Sequence, residues 1–221
     1  MKVIVFDLDD TLYDEMTFVK SGIRAVSEFL QAELTVPAAD SYHYMVDTLR
    51  QFGRGKVFDC ALEHYGISTR ALVNRCLQVY RTHKPHIELF DDAKRCLDRL
   101  AGYSLYIVTD GNKLVQFSKL RALGLYDDPR IKKCYITRRY GVHHEKPSPH
   151  CFYKIAEAEK AEPDEIVYIG DNPHKDFVGI KSLGFRTVRV VRGSHAMVRL
   201  GPEYEADEEI VTLDEFLGGH S

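Results

Sequence analysis

The chain has no tryptophan, and its five cysteines (Cys60, Cys76, Cys96, Cys134 and Cys151) form an odd, scattered set without a C-x-x-C pair. That spacing fits neither a disulfide framework nor a zinc knuckle, and it reads as plain thiols in a reducing compartment. The missing tryptophan carries no functional meaning. A dominant charge is missing too: 30 Lys and Arg face 33 Asp and Glu, a net charge of −3 over 221 residues. With a sequence pI near 6.4, there is no basic field to hold nucleic acid or an anionic membrane, so any phosphate specificity must come from a local site. No apolar run approaches the roughly 20 residues that span a bilayer. The opening Met1-Lys2 and the apolar Val3–Phe6 after it are too short and too soon acidic for a signal peptide. The expectation is a soluble cytoplasmic protein with neither a nucleic-acid nor a membrane partner.

What is present alternates. Short runs that are apolar on nearly every residue lie at Lys2–Phe6, Ser104–Val108, Lys133–Ile136, Glu165–Ile169 and Thr187–Val191, with a weaker one at Glu209–Val211. Continuous β-branched runs suit strands covered on both faces, as in a parallel sheet. Helical periodicity fills the intervals. Ala93, Cys96, Leu97 and Leu100 share one face, and Leu114, Phe117, Leu120 and Leu123 share another that ends at Gly124. Phe152, Ile155 and Ala156 follow Pro149, and a further helix is expected from Pro173 to Gly184 with Ile180 and Leu183 inside it. This rhythm predicts an α/β fold, a doubly wound parallel sheet (Rossmann-like) with an all-helical cap. The Gly-Gly-His-Ser tail is expected to fray.

Residues 15–85 break the alternation. They hold no strand pattern, only helical ones such as Ile23, Val26, Ser27 and Leu30, or Leu72, Val73, Cys76, Leu77 and Tyr80. The predicted organisation is a core of residues 1–14 and 86–221 with a helical cap over 15–85. An insert that follows the first strand is expected at that strand's carboxyl end, where open α/β sheets bind ligands, and would act there as a lid.

The strongest chemical signal is Phe6-Asp7-Leu8-Asp9-Asp10-Thr11-Leu12, which leaves the first strand with three carboxylates in four positions. Like charges this close resist ionisation, and a hard divalent cation such as Mg²⁺ relieves them. Taken alone, the segment also reads as a solvated acidic turn or a helix cap. Three further segments add to it. Val108-Thr109-Asp110-Gly111-Asn112 offers a hydroxyl and free backbone N–H groups at a helix start. Lys146-Pro147-Ser148-Pro149 brings a cation before another helix. Gly170-Asp171-Asn172-Pro173-His174-Lys175-Asp176 supplies a second acidic pair. Each of the three is weak by itself. All four follow a strand or open a helix, so the topology sends them to one sheet edge.

In this order the motifs D-x-D-x-T, Thr, Lys and G-D-x-x-x-x-D resemble the haloacid dehalogenase superfamily, in its phosphatase branch with a helical cap after the first motif. The resemblance spans nearly the whole chain. It implies Asp7 as the nucleophile that takes the phosphoryl group as an aspartyl-phosphate, and Asp9 as the general acid and base. It implies Thr109 and Lys146 as partners of the transferring phosphate, with the backbone near Asp110. It implies an Mg²⁺ site of the Asp7 side chain, the Asp9 main-chain carbonyl and Asp171, with Asp176, Asn172 and Thr11 supporting it. Phosphoryl transfer asks mainly for alignment and charge neutralisation, which such a set supplies. Asp9 has to carry a proton when substrate binds, so its pKa is expected above that of Asp7.

The substrate expected is a small phosphorylated metabolite: a sugar phosphate, a nucleoside monophosphate or flavin mononucleotide. A phosphosugar mutase shares these motifs and stays open, as does a non-catalytic module that binds a phosphate ligand. A dehalogenase needs neither Asp9 nor Asp171. A phosphonate hydrolase needs a cap lysine in a recognisable setting, which Lys20, Lys56 and Lys84 lack. His143-His144-Glu145 has no third ligand at helical spacing for zinc. Asp10 is a third acid in the first motif, and an acid at Asp110 beside the expected phosphate has no explanation in the sequence.

Overall fold

A computed structural model describes residues 2–218. The end of the tail expected to fray, 219–221, lies outside the described residues. The chain divides into two compact units, Met1–Glu15 with Glu88–Ser221, and Met16–Ile87.

The first unit is built on six strands: β1 (Val3–Phe6), β2 (Ser104–Thr109), β3 (Ile131–Ile136), β4 (Ile166–Gly170), β5 (Arg186–Val190) and β6 (Glu208–Ile210). They pair in parallel in the order β3-β2-β1-β4-β5-β6. This is the expected doubly wound sheet, and the order reverses between β1 and β4, the switch point where such sheets open a crevice. β1 and β4 are buried at every residue, which is why they read as unbroken apolar runs. Each observed strand begins and ends within two residues of the predicted run.

The eight helices that complete the described chain are α1 (Glu15–Leu34), α2 (Ala38–Phe52), α3 (Val57–His64), α4 (Arg70–Thr82), α5 (Asp91–Arg99), α6 (Lys113–Ala122), α7 (His150–Glu159) and α8 (Leu213–Gly218). α5 buries Ala93, Cys96 and Leu97, and Leu100 at its C-terminal end is buried with them, as the periodicity predicts. α6 differs from expectation. Its inward residues are Gln116, Lys119 and Leu120, while Leu114 is 62% exposed. Asn112 caps this helix by accepting hydrogen bonds from the backbone N–H groups of Leu114 and Val115.

The helix expected from Pro173 to Gly184 is absent. That stretch runs through turns and ends in a short 3-10 segment, Lys181–Leu183. Two contacts explain the departure. The Asp176 carboxylate turns back to accept from the Asn172 N–H at 2.9 Å, and Gly179 presses so closely on Pro147 that a Cβ would lie 1.6 Å from its carbonyl oxygen. The chain follows these anchors in preference to its local helical pattern.

The second unit is helical, made of α2 to α4 with nearly all of α1. Its core gathers Val19, Ile23, Val26, Leu30, Met45, Ala61, Leu62 and Cys76. Gly22 lets α1 close on Tyr80, whose ring would lie 2.5 Å from an added Cβ. Tyr80 in turn meets Phe18 and Phe58 edge-on, each at 5.7 Å between ring centres. Among the described residues, no helix is long and apolar enough to cross a membrane.

Candidate active site

Asp7 is the first residue past β1, and its N–H donates to the Ile169 carbonyl on the neighbouring β4 at 2.8 Å. Its Oδ1 accepts from Lys146 Nζ at 2.6 Å. The same ammonium lies 2.8 Å from Asp176 Oδ1 and 2.8 Å from the Tyr168 hydroxyl. Lys146 is thus a buried cation held by two carboxylates and a phenol. Burial works to lower its pKa, but Asp176 and Asp7 prevail and hold it well above the ordinary lysine value. Burial also pushes the Asp7 carboxyl well above the usual range; Lys146 opposes that, and Asp176 and Asp171 add to it.

Asp171 follows β4. Its Oδ2 accepts from His195 Nδ1 at 2.9 Å, and burial pushes its pKa to about 6 against that hydrogen bond. Asp7, Asp171 and Asp176 each present a ligand oxygen, and these atoms lie within 4.8 Å of one another. Among the described residues this is the group of three metal-ligating side chains, so the adjacent His143 and His144 form no such group. Asp176 is the most committed of the three: besides Lys146 it accepts from the Tyr168 hydroxyl at 3.2 Å and from the Asn172 N–H. Asn172 also orders this turn by accepting from the His174 N–H at 3.0 Å.

Asp9 points elsewhere. Its carboxylate accepts from Tyr13 Oη at 2.6 Å, Gln116 Nε2 at 2.8 Å and Lys119 Nζ at 2.7 Å. Burial works to raise its pKa, yet Lys119, Tyr13 and Gln116 prevail and hold it below the usual range. The expected order of the two acids is therefore reversed in the structure. Asp7 is high because it is buried among other acids, and Asp9 is low because it has its own lysine.

Thr109, at the end of β2, is buried, and its hydroxyl has no hydrogen-bond partner. A buried hydroxyl left unmatched costs free energy, and an anion at this edge would supply the missing acceptor. The Thr11 hydroxyl is likewise buried and without a partner, so no side-chain bond orients the loop through it. Asp110 is an anchor. Its Oδ1 accepts from Thr137 at 2.8 Å and from the Lys146 N–H at 3.1 Å, and its Oδ2 accepts from Lys175 Nζ at 3.0 Å. This fastens three segments together and explains the acid there. The carboxylate is committed to these partners, which leaves the expected phosphate contact near Asp110 to its backbone.

The profile of the haloacid dehalogenase-like hydrolase family matches residues 1–184. The chain belongs to that family. It is 28% identical to a glyceraldehyde 3-phosphate phosphatase of Pyrococcus furiosus, over 98% of this chain and 92% of the relative. It is 26% identical to a phosphoserine phosphatase of Thermus thermophilus, over 87% of this chain and 90% of the relative. Its fold matches the magnesium-bound structure of Bacillus subtilis YfnB with a TM-score of 0.67 at 21% identity, covering 98% and 97% of the two chains.

Within this haloacid dehalogenase-like hydrolase, several site neighbours were not legible from sequence. Gln116 and Lys119 reach Asp9 from α6, where Gln, Lys and Leu120 at helical spacing form the buried face. A pair of polar residues on the inward face of a helix that starts just after Thr109 was the available signal. Lys175 and Tyr168 flank the Lys146 cluster. His195 comes from a loop after β5 that carries no recognisable motif.

Proposed function

We propose that this hydrolase cleaves phosphomonoesters of small metabolites in the cytoplasm, with Asp7 as covalent nucleophile and Mg²⁺ as its metal. The observation that carries this reading is the convergence of Asp7, Asp171 and Asp176, whose ligand oxygens lie within 4.8 Å of one another, beside Lys146, with its Nζ 2.6 Å from Asp7 Oδ1 and 2.8 Å from Asp176 Oδ1. The donor set fits a hard cation: the ligands are carboxylate oxygens, and burial and neighbouring acids raise both the Asp7 and Asp171 carboxyls, a cost that a cation would offset. Asp7, Asp171 and the Asp9 main-chain carbonyl would hold Mg²⁺, which would neutralise charge on the phosphoryl oxygens.

The residues divide the remaining work. Lys146 holds Asp7 in place and faces the incoming phosphate with positive charge. An Asp7 oxygen bonds to phosphorus as the bond from phosphorus to the alcohol oxygen breaks, and Asp9 gives that oxygen its proton. Water then attacks phosphorus, Asp9 takes the water's proton, and phosphate leaves Asp7 as a free carboxylate. A phosphate dianion brought beside Asp9 raises its pKa by like charge; this lets a carboxyl that is low in the resting site carry a proton when the leaving group needs one. The Thr109 hydroxyl donates to a phosphoryl oxygen.

We assign substrate selection to the helical unit, Met16–Ile87, as a cap; the chain enters it only a few residues past Asp9. The named activities of the relatives support placing three-carbon phosphomonoesters at the head of a substrate panel, ahead of larger sugar phosphates, nucleoside monophosphates and flavin mononucleotide. The test is Asp7→Asn assayed with Mg²⁺ and an aryl phosphate. Turnover should vanish while the far-UV circular dichroism spectrum stays that of wild type, and wild-type rates in the variant refute the reading.

A further inference from the structure

The loop between β5 and β6 is gripped from both sides. Arg189 is fully buried on β5. Its Nη2 donates to the carbonyls of His195 at 2.8 Å and Val198 at 2.9 Å, while Glu205 at 2.8 Å balances the charge through Nη1. Across the sheet edge, Asp10 Oδ2 accepts from the Ser194 N–H at 2.9 Å. Gly193 sits so close that a Cβ would lie 2.3 Å from Asp10 Cγ, and its φ is +67°, so only glycine fits that position. A buried guanidinium is costly unless it is well bonded. Here its bonds go to fixing one short stretch of backbone, 193–198.

The fixed stretch presents one side chain to the site, His195, with Nδ1 2.9 Å from Asp171 Oδ2. Toward an ionised carboxylate Nδ1 is the donor, in the charged ring and in the Nδ1–H tautomer that this carboxylate favours in the neutral ring. That bond occupies one oxygen of Asp171 and leaves Oδ1 for a cation. Ca²⁺ accepts carboxylates with both oxygens and tolerates irregular shells, whereas Mg²⁺ demands a tight octahedron of single-oxygen ligands. We propose that His195 is a positioning residue that restricts Asp171 to one-oxygen ligation, and so raises affinity for Mg²⁺ and biases the site against Ca²⁺. The inference rests on the magnesium reading above. It accounts together for the third acid of the first motif, for Arg189 and for Gly193, none of which the reaction itself uses.

The experiment is calorimetric titration of the full chain with Mg²⁺ and then with Ca²⁺, without substrate. His195→Ala should weaken Mg²⁺ binding by about 10- to 100-fold, the usual cost of losing a group that orients a ligand, and should weaken Ca²⁺ binding less. His195→Asn, which keeps an N–H near the position of Nδ1, should recover both the affinity and the preference. If the Ala variant does not fold, His195→Phe keeps the ring without the donor and carries the same test. An unchanged ratio of the two affinities in the donorless variant overturns this inference alone, as does an Asn variant no better than it. Wild-type protein that binds neither ion overturns the metal reading and this inference with it.

Discussion

Replacing Lys146 by Met keeps most of the side-chain volume and removes the ammonium that sits 2.6 Å from Asp7 and 2.8 Å from Asp176. Its side chain is only 1% exposed, so water does not compensate. Removing one partner of a buried pair costs about 3–5 kcal/mol. The structure narrows that range, because the cheapest response is for one stranded carboxylate to take a proton. Near pH 7, protonating an aspartate of ordinary pKa about 3.9 costs about 4 kcal/mol, and near pH 5 the same step costs about 1.5 kcal/mol. Lys146→Met should therefore lose about 4 kcal/mol near neutrality and much less in mild acid. Adding Asp176→Asn should restore part of the loss, since one fewer charge is stranded. The assay is urea unfolding in EDTA followed by far-UV circular dichroism, as the chain has no Trp. A loss below about 1 kcal/mol, or one that is equal at the two pH values, would refute the reasoning that this cation is buried and committed to its acids.

Thr109→Val removes a buried hydroxyl with no partner, so folding stability should change by less than about 1 kcal/mol, while inhibition by inorganic phosphate should weaken. Asp9→Asn should lower kcat by about 10²–10⁴-fold, the range for a general acid or base, with a small change in KM; a steady-state assay on an aryl phosphate separates the two constants. Asp171 supplies a pH test. Its folded pKa of about 6 lies above the ordinary 3.8, so its destabilising effect is absent below the lower value. That effect grows through the window between them and is complete above the upper one, at about 3 kcal/mol. In EDTA, Asp171→Asn should gain stability over wild type as pH rises through that window, read by urea midpoints, and a flat difference contradicts the assignment.

The strands were legible because each is a short apolar run enclosed on both faces. β1 and β4 are buried at every residue, which leaves no second reading for their pattern. Asp7 and Asp171 were legible because they follow those strands directly, and Lys146 because it stands just before α7 in the order of the motifs. Where local pattern and tertiary anchors disagree, sequence reading fails. Pro173 to Gly184 looks helical, but the Asp176 bond to Asn172 and the contact of Gly179 with Pro147 decide its course. The partners of Asp9 were hidden for another reason. Lys119 and Gln116 look like the solvated side of α6, and only the packed helix turns them inward. His195 is placed by Arg189 from the adjoining strand and by the Asp10 bond to Ser194, which joins the two ends of the chain and which no spacing reports.

The central claim is that Asp7 carries the phosphoryl group. Quenching the enzyme during turnover and reducing with borohydride converts an acyl phosphate into an alcohol, so the nucleophilic aspartate becomes homoserine and is located by peptide mass spectrometry. The account predicts homoserine at position 7 in the presence of substrate and Mg²⁺, and none without substrate. Homoserine at Asp9 or at Asp171, or its absence from every acid during sustained turnover, would contradict it.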